Sequence, residues 1–151
     1  MPWVILVIVV SFFANRLGEL LLPLPQSINF SLCAFLALLG MSALALGMKA
    51  CSLRTILCGH DGAGLITHGI YSYIRNPICL SCVLLAFSAA IGFNSLAGLI
   101  VAILSLIAAY LHASLWEERE LEQRFGSEYW EYKRRVGMFI PKPSLSWNKF
   151  R

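Results

Sequence analysis

From Pro77 to Leu115 the chain contains no Asp, Glu, Lys or Arg. An uncharged stretch of that length constrains the fold more than any other feature of the sequence, because it suits hydrocarbon and not water as its surroundings. The turn Gly92-Phe93-Asn94-Ser95 divides it into a segment from Pro77 to Gly92, about 24 Å long as a helix, and one from about Leu96 to Leu115. Two further apolar segments precede it, at about 3–22 and 30–48, with Pro23 and Pro25 between them. Each is near the ~20 residues a bilayer helix needs. Only 13% of the chain is charged, against about 25% in soluble domains. A water-soluble chain of this size would need more polar surface to cover its core. The expected fold is therefore all-α: a multi-pass transmembrane bundle of about four spans, forming a single domain over residues 1–151.

The basic residues fall on one side of that bundle. The connection between the second and third spans holds Lys49, Arg54 and Arg75. The tail after the fourth span, residues 116–151, holds Arg119, Arg124, Lys133, Arg134, Arg135, Lys142, Lys149 and Arg151. The other two connections have no Lys or Arg, so both basic segments and both termini are expected in the cytoplasm. A net charge of +4 arranged this way implies anionic membrane lipids as partners, not nucleic acid. The N-terminus lacks the basic start and small-residue cleavage pattern of a signal peptide, so the first segment is expected to be a retained span. Asn15, Arg16 and Glu19 lie in its second half, with Arg16 and Glu19 spaced to neutralise each other. Five cysteines (Cys33, Cys51, Cys58, Cys79 and Cys82) are an odd number for a disulfide framework and are expected to be free thiols.

The tail has its own pattern. Leu121, Phe125, Tyr129, Tyr132 and Val136 recur at helical spacing, which predicts one apolar face. Gly126 is expected to break the helix and Ser127 to cap its resumption, with Glu128 in the favourable first turn. The tail thus reads as an amphipathic helix pair folded back on the cytoplasmic face of the bundle.

Two constellations can carry chemistry. In Tyr71-Ser72-Tyr73-Ile74-Arg75-Asn76-Pro77, Asn76 is a preferred N-cap and Pro77 suits the first helical position. A helix start beside Arg75 can receive a carboxylate or phosphate; the plainer reading is a capped helix with a snorkelling arginine. In Trp116-Glu117-Glu118, both carboxylates can join the stripe that continues through Leu121. Near a membrane boundary they need a partner, either a cationic ligand or Arg119 or Arg75. Together the two constellations permit a zwitterion, and Tyr71, Tyr73, Tyr129 and Tyr132 could face a cationic group with their rings.

The run Leu65, Thr67, Gly69, Tyr71 and Arg75-Asn76-Pro77 resembles the first motif of the isoprenylcysteine carboxyl methyltransferase and phospholipid methyltransferase superfamily. Glu117-Glu118-Arg119-Glu120-Leu121, then Phe125-Gly126, Tyr129, Tyr132, Val136 and Ile140-Pro141, is similar to its second. The resemblance covers about residues 53–143. It implies an integral membrane methyltransferase that uses S-adenosylmethionine. It also implies cofactor contacts at Arg75, Asn76, Glu117 and Glu118, to which the residues add Tyr71, Pro77, Tyr129 and Tyr132 as candidates. The implied acceptor is lipophilic, an isoprenylcysteine-type carboxylate or a lipid headgroup, with Arg75 orienting an anion. The chain departs from the family pattern at Asn76, where His is frequent, at Cys79 and Ser81, where Tyr and Gly are common, and at Met138, where an arginine is usual.

Weaker features have plainer readings. Cys79-Leu80-Ser81-Cys82 lacks a second ligand pair, so no metal is expected there. His60, Asp61 and His68 read as solvated loop residues, and Lys133-Arg134-Arg135 as a contact with lipid headgroups. Two rivals stand beside the methyltransferase reading: a reductase-like membrane protein that binds NADPH, and an adaptor that keeps the fold without the chemistry.

Overall fold

A computed structural model describes residues 25–50 and 64–142, together with Ile5, Ile8, Val9, Val10 and Phe12. Apart from those five residues, the expected first span lies outside the described residues, as do Arg16, Glu19, Cys51, Arg54, Cys58, His60, Asp61 and the end of the tail. Among the described residues there is no strand. The order is α1 (Gln26–Ala50), a 3-10 turn (Gly69–Ser72), α2 (Pro77–Gly92), α3 (Leu96–His112), a π-helical turn (Ala113–Glu117) and α4 (Glu118–Arg135).

Helix α1 begins earlier than the apolar run alone predicts. The carbonyl of Pro25 accepts hydrogen bonds from the backbone N–H groups of Ile28 and Asn29 at 3.0 and 3.1 Å, so the helix starts directly after the proline. It lies antiparallel on α2. Along α1, Asn29, Cys33, Gly40 and Gly47 meet Asn94, Ser88, Leu85 with Ser81, and Ile78 with Pro77, in that order. Small residues let the two backbones approach closely, which is how helices associate when lipid supplies no hydrophobic driving force. A Cβ at Gly40 would come within 3.0 Å of Leu85 Cγ and 3.2 Å of the Ser81 carbonyl. The hydroxyls in the packed faces are satisfied within the bundle: Ser81 Oγ donates to Ile78 O, Ser88 Oγ to Cys33 O, and Ser105 Oγ to Val101 O.

Helix α2 occupies the expected residues. It ends where Asn94 takes a positive φ of 51°, and Ser95 caps α3 by accepting from the Gly98 N–H at 3.0 Å. Ala86, Ala90 and Ala102 form the buried seam of this hairpin. Large apolar side chains such as Phe30, Phe35 and Leu38 on α1, and Ile100, Leu104 and Ile107 on α3, face outward. So broad an exposed apolar surface is unsuited to water. Among the described residues, two helices are long and apolar enough to cross a membrane: α1, and the continuous helix from Leu96 to Arg135. Helix α2 is shorter.

The helix does not end with the expected fourth span at residue 115. Nothing in Ala113–Glu117 breaks a helix, and the chain widens there into one π turn before continuing as α4. Such a turn inserts one residue into the helical register and is frequent at functional sites. Within α4 the expected break is present: Gly126 has φ 52° and ψ −122°, and the helix bends there. After Val136 the chain runs beside the segment that precedes α2, in a parallel bridge between Ile74 and Gly137.

Candidate functional site

The site forms where the start of α2 meets α4 and the segment behind it. The bridge sets the registration: the backbone N–H of Arg75 donates to Gly137 O at 2.8 Å, and that of Asn76 to Met138 O at 3.1 Å. Gly137 is required by space, because a Cβ there would collide with the carbonyl of Ile140. Tyr132 adds a second tie, its hydroxyl donating to the Tyr71 carbonyl at 2.7 Å. Tyr129, Tyr132 and Val136 are buried together, with Leu65, Leu121 and Phe125 packed around them. The predicted apolar face of the tail is thus the surface that docks onto the α2 start.

Within this frame Arg75 and Glu118 come together. Arg75 Nη1 lies 2.5 Å from Glu118 Oε1, with side chains 9% and 4% exposed. Lys133 Nζ reaches the other carboxylate oxygen, Oε2, at 2.7 Å, and Glu122 Oε1 at 2.6 Å. Arg75 Nη1 also donates to the Tyr129 hydroxyl at 3.4 Å. The close approach of Arg75 to Glu118 is a charge contact without hydrogen-bond alignment, since Oε1 has no hydrogen-bond partner. Two donors are also buried without one: Arg75 Nε and Asn76 Nδ2. Burial of two donors side by side is costly unless an acceptor meets them.

The surroundings keep the tyrosines protonated. Burial pushes the Tyr129 phenol above its ordinary value, and the negative charge of Glu118 adds to the effect. Tyr132 is raised as well, first by burial. For Lys133, burial opposes the charged form, but hydrogen bonds to Glu118 and Glu122 outweigh it and its pKa is raised.

Several expectations need correction here. Asn76 occupies the N-cap position with Pro77 following it, but its side chain makes no capping hydrogen bond. Its φ of −124° and ψ of 64° are set by the bridge to Met138, which leaves Nδ2 unpartnered. Glu117 and Glu118 do not share a face. The π turn directs Glu118 inward, while Glu117 is 40% exposed and lies 3.5 Å from His112 Nδ1, five residues earlier. Lys133, read from the sequence as a lipid headgroup contact, pairs with Glu118 and Glu122 while remaining 29% exposed, and sequence reasoning missed both ion pairs. The signal was available: Lys133 follows Tyr129 by four residues, on the face that docks, and Glu122 follows Glu118 by four. Tyr71 contributes a backbone acceptor, Pro77 is buried at the helix start, and Tyr73 is exposed. Cys33, Cys79 and Cys82 are free thiols.

An apolar helical body with a charge cluster at one end describes a membrane protein. A model of the phospholipid methyltransferase family matches residues 28–128, which include all but the first two residues of α1, then α2, α3, the π turn and α4 as far as Glu128. The chain belongs to that family. Over 82 residues it is 37% identical to methanethiol S-methyltransferase 2 of Bradyrhizobium diazoefficiens. The alignment takes in 54% of this chain and 30% of that protein.

Proposed function

We propose that the chain is a membrane methyltransferase that takes its methyl group from S-adenosylmethionine and passes it to a lipophilic acceptor. The observation that carries the reading is the pair of buried, unpartnered donors, Arg75 Nε and Asn76 Nδ2, beside the buried carboxylate of Glu118. A zwitterion's polar end fits such a set. The donors and the Pro77 helix start would hold a carboxylate, and Glu118 would face an ammonium. Tyr129 and Tyr132, kept neutral by burial, would present rings to a cation, with Tyr71 holding Tyr132 in place. Glu117, outside the cluster, would line the approach.

When bound, S-adenosylmethionine supplies a methyl group on a sulfonium, open to in-line displacement. The chain's part is to hold donor and acceptor aligned in a site from which the docked tail excludes water. A carboxylate acceptor of the isoprenylcysteine type needs no base; an amine headgroup must arrive neutral. The name of the Bradyrhizobium relative adds a small thiol as a further acceptor class, which must lose its proton because the thiolate is the nucleophile. We place the acceptor's entry sideways from the bilayer, between helices. The topology that goes with this reading has four spans, both termini in the cytoplasm, and the tail on the cytoplasmic face.

The test uses the purified protein in detergent. S-adenosylhomocysteine should bind, NADPH should not, and radiolabelled methyl should pass from S-adenosylmethionine into a membrane lipid extract or a small thiol. Binding of NADPH alone, or of neither ligand, contradicts the reading.

A further inference from the structure

The carboxylate of Glu118 is shared by two cations, one on each oxygen: Arg75 at 2.5 Å and Lys133 at 2.7 Å. A third positive group that takes over one of these oxygens requires the cation now on it to withdraw. The two are not equally able to do so. Arg75 is 9% exposed, its backbone N–H is held by Gly137 O, and its Nη1 is shared with the Tyr129 hydroxyl. Lys133 is 29% exposed and already has a second carboxylate, Glu122, at 2.6 Å. Its ammonium also lies 5.2 Å from the centroid of the exposed Trp130 ring, on the outer side of the tail.

We infer that Lys133 is the displaceable cation of this site: the amino group of the bound methyl donor takes over Glu118 Oε2, and Lys133 withdraws onto Glu122. The inference rests on the methyltransferase reading given above. Charge balance supports it. Arg75 and Lys133 against Glu118 and Glu122 make a neutral cluster of two cations and two carboxylates. The amino-acid end of the donor entering it leaves these charges paired: its carboxylate on Arg75 Nε and Asn76 Nδ2, its ammonium on Glu118, and Lys133 on Glu122, while the sulfonium, the donor's third charge, is left to the rings of Tyr129 and Tyr132. No charge is stranded in the low-dielectric site, where an unpaired one is most costly. Lys133 is on this account a positioning residue. It occupies Glu118 Oε2 until the ligand arrives and then gives way.

The experiment compares two ligands on the full-length protein: S-adenosylhomocysteine, and its analogue lacking the amino group. Removing the competitor in Lys133→Met should tighten S-adenosylhomocysteine by about two- to fivefold, the range of a partly exposed ion pair. Affinity for the desamino analogue should stay unchanged. Lys133→Gln, which keeps a polar side chain, should move in the same direction if the methionine variant folds poorly. Glu122→Gln removes the fallback partner and should weaken S-adenosylhomocysteine by a similar factor, again without effect on the analogue. Equal weakening of both ligands in the Lys133 variants would make Lys133 a structural support, and no change in either would remove it from the site. Failure of the parent protein to bind S-adenosylhomocysteine is a separate outcome that overturns the methyltransferase reading and this inference together.

Discussion

Where α1 crosses α2, contact is made by Gly40, Gly47, Ser81 and Ser88, and no charged side chain takes part. Where the tail docks on the start of α2, contact is made by Arg75, Glu118, Glu122 and Lys133, sheathed by Tyr129 and Tyr132. The first region fits backbones together and satisfies its packed hydroxyls, leaving one amide acceptor, Asn29 Oδ1, without a partner. The second buries charge and leaves two donors without partners. Small apolar contacts suffice to assemble helices in lipid. Buried charges are costly to assemble and are worth keeping where a ligand uses them. On the proposed reading, the difference separates the part of the molecule that carries the fold from the part that carries the function.

The largest expected effect is at Glu118. Glu118→Ala strands Arg75 and half of Lys133's pairing in a buried site, a cost of about 3–5 kcal/mol. The tail should undock, read as protease cleavage near Gly126 and loss of ligand binding, while α1, α2 and α3 stay assembled. If the bundle unfolds together with the tail, the two regions are not separable.

Next is Gly137→Ala. The new Cβ must displace the Ile140 carbonyl, with an overpacking cost of about 1–3 kcal/mol. The bridge to Arg75 and Asn76 should loosen, so ligand affinity should fall by more than tenfold with little change in thermal stability of the detergent-solubilised bundle.

Gly40→Ala probes the other region. Its Cβ meets the flexible Leu85 side chain and the Ser81 carbonyl, and the expected cost is about 1 kcal/mol in stability. Methyl transfer per folded molecule should remain within about twofold of the parent, since nothing at the tail junction moves; a larger loss would tie the bundle seam to the site.

The smallest effect is on pH dependence. Tyr129 and Lys133 both have raised pKa values in the folded protein, from ordinary values of 10.0 and 10.5. Their contribution is fully present below those values and is lost as pH rises through the raised ones. Docking of the tail should therefore be flat from neutral pH to about 10 and weaken above it. The weakening should be shallower in Tyr129→Phe. A loss of docking between pH 6 and 9 would require a titrating group other than these two.

The two regions also differ in how far the sequence reveals them. Asn76-Pro77 and Gly92-Phe93-Asn94-Ser95 bound α2 correctly, because a proline at the first turn and a turn residue of positive φ act locally. The apolar face of the tail and its break at Gly126 were likewise readable from spacing and from one glycine. What escaped was set by tertiary contact. Asn76 has the right residue type to cap α2, but the Met138 carbonyl takes its backbone N–H and fixes a conformation in which the side chain does not cap. Glu117 and Glu118 are chemically identical neighbours. Only the π turn decides which one is buried, and no residue in Ala113–Glu117 announces an extra residue in the register. Lys133 reads as part of a basic run with Arg134 and Arg135, and its inward direction depends on Glu118 and Glu122 being there to receive it.

The central claim is that the buried cluster at the tail junction binds the polar end of the methyl donor, and Arg75→Lys tests it most directly. Lysine keeps the charge and can still meet Glu118, so the protein should insert and fold. It cannot supply the Nε donor or the planar fork that grips a carboxylate. Measured on purified protein, S-adenosylhomocysteine affinity and methyl transfer from S-adenosylmethionine should both fall at least about tenfold, a loss of roughly 1.4 kcal/mol. Binding and transfer equal to the parent's would show that Arg75 only anchors the tail, and would contradict the placement of the donor in this cluster.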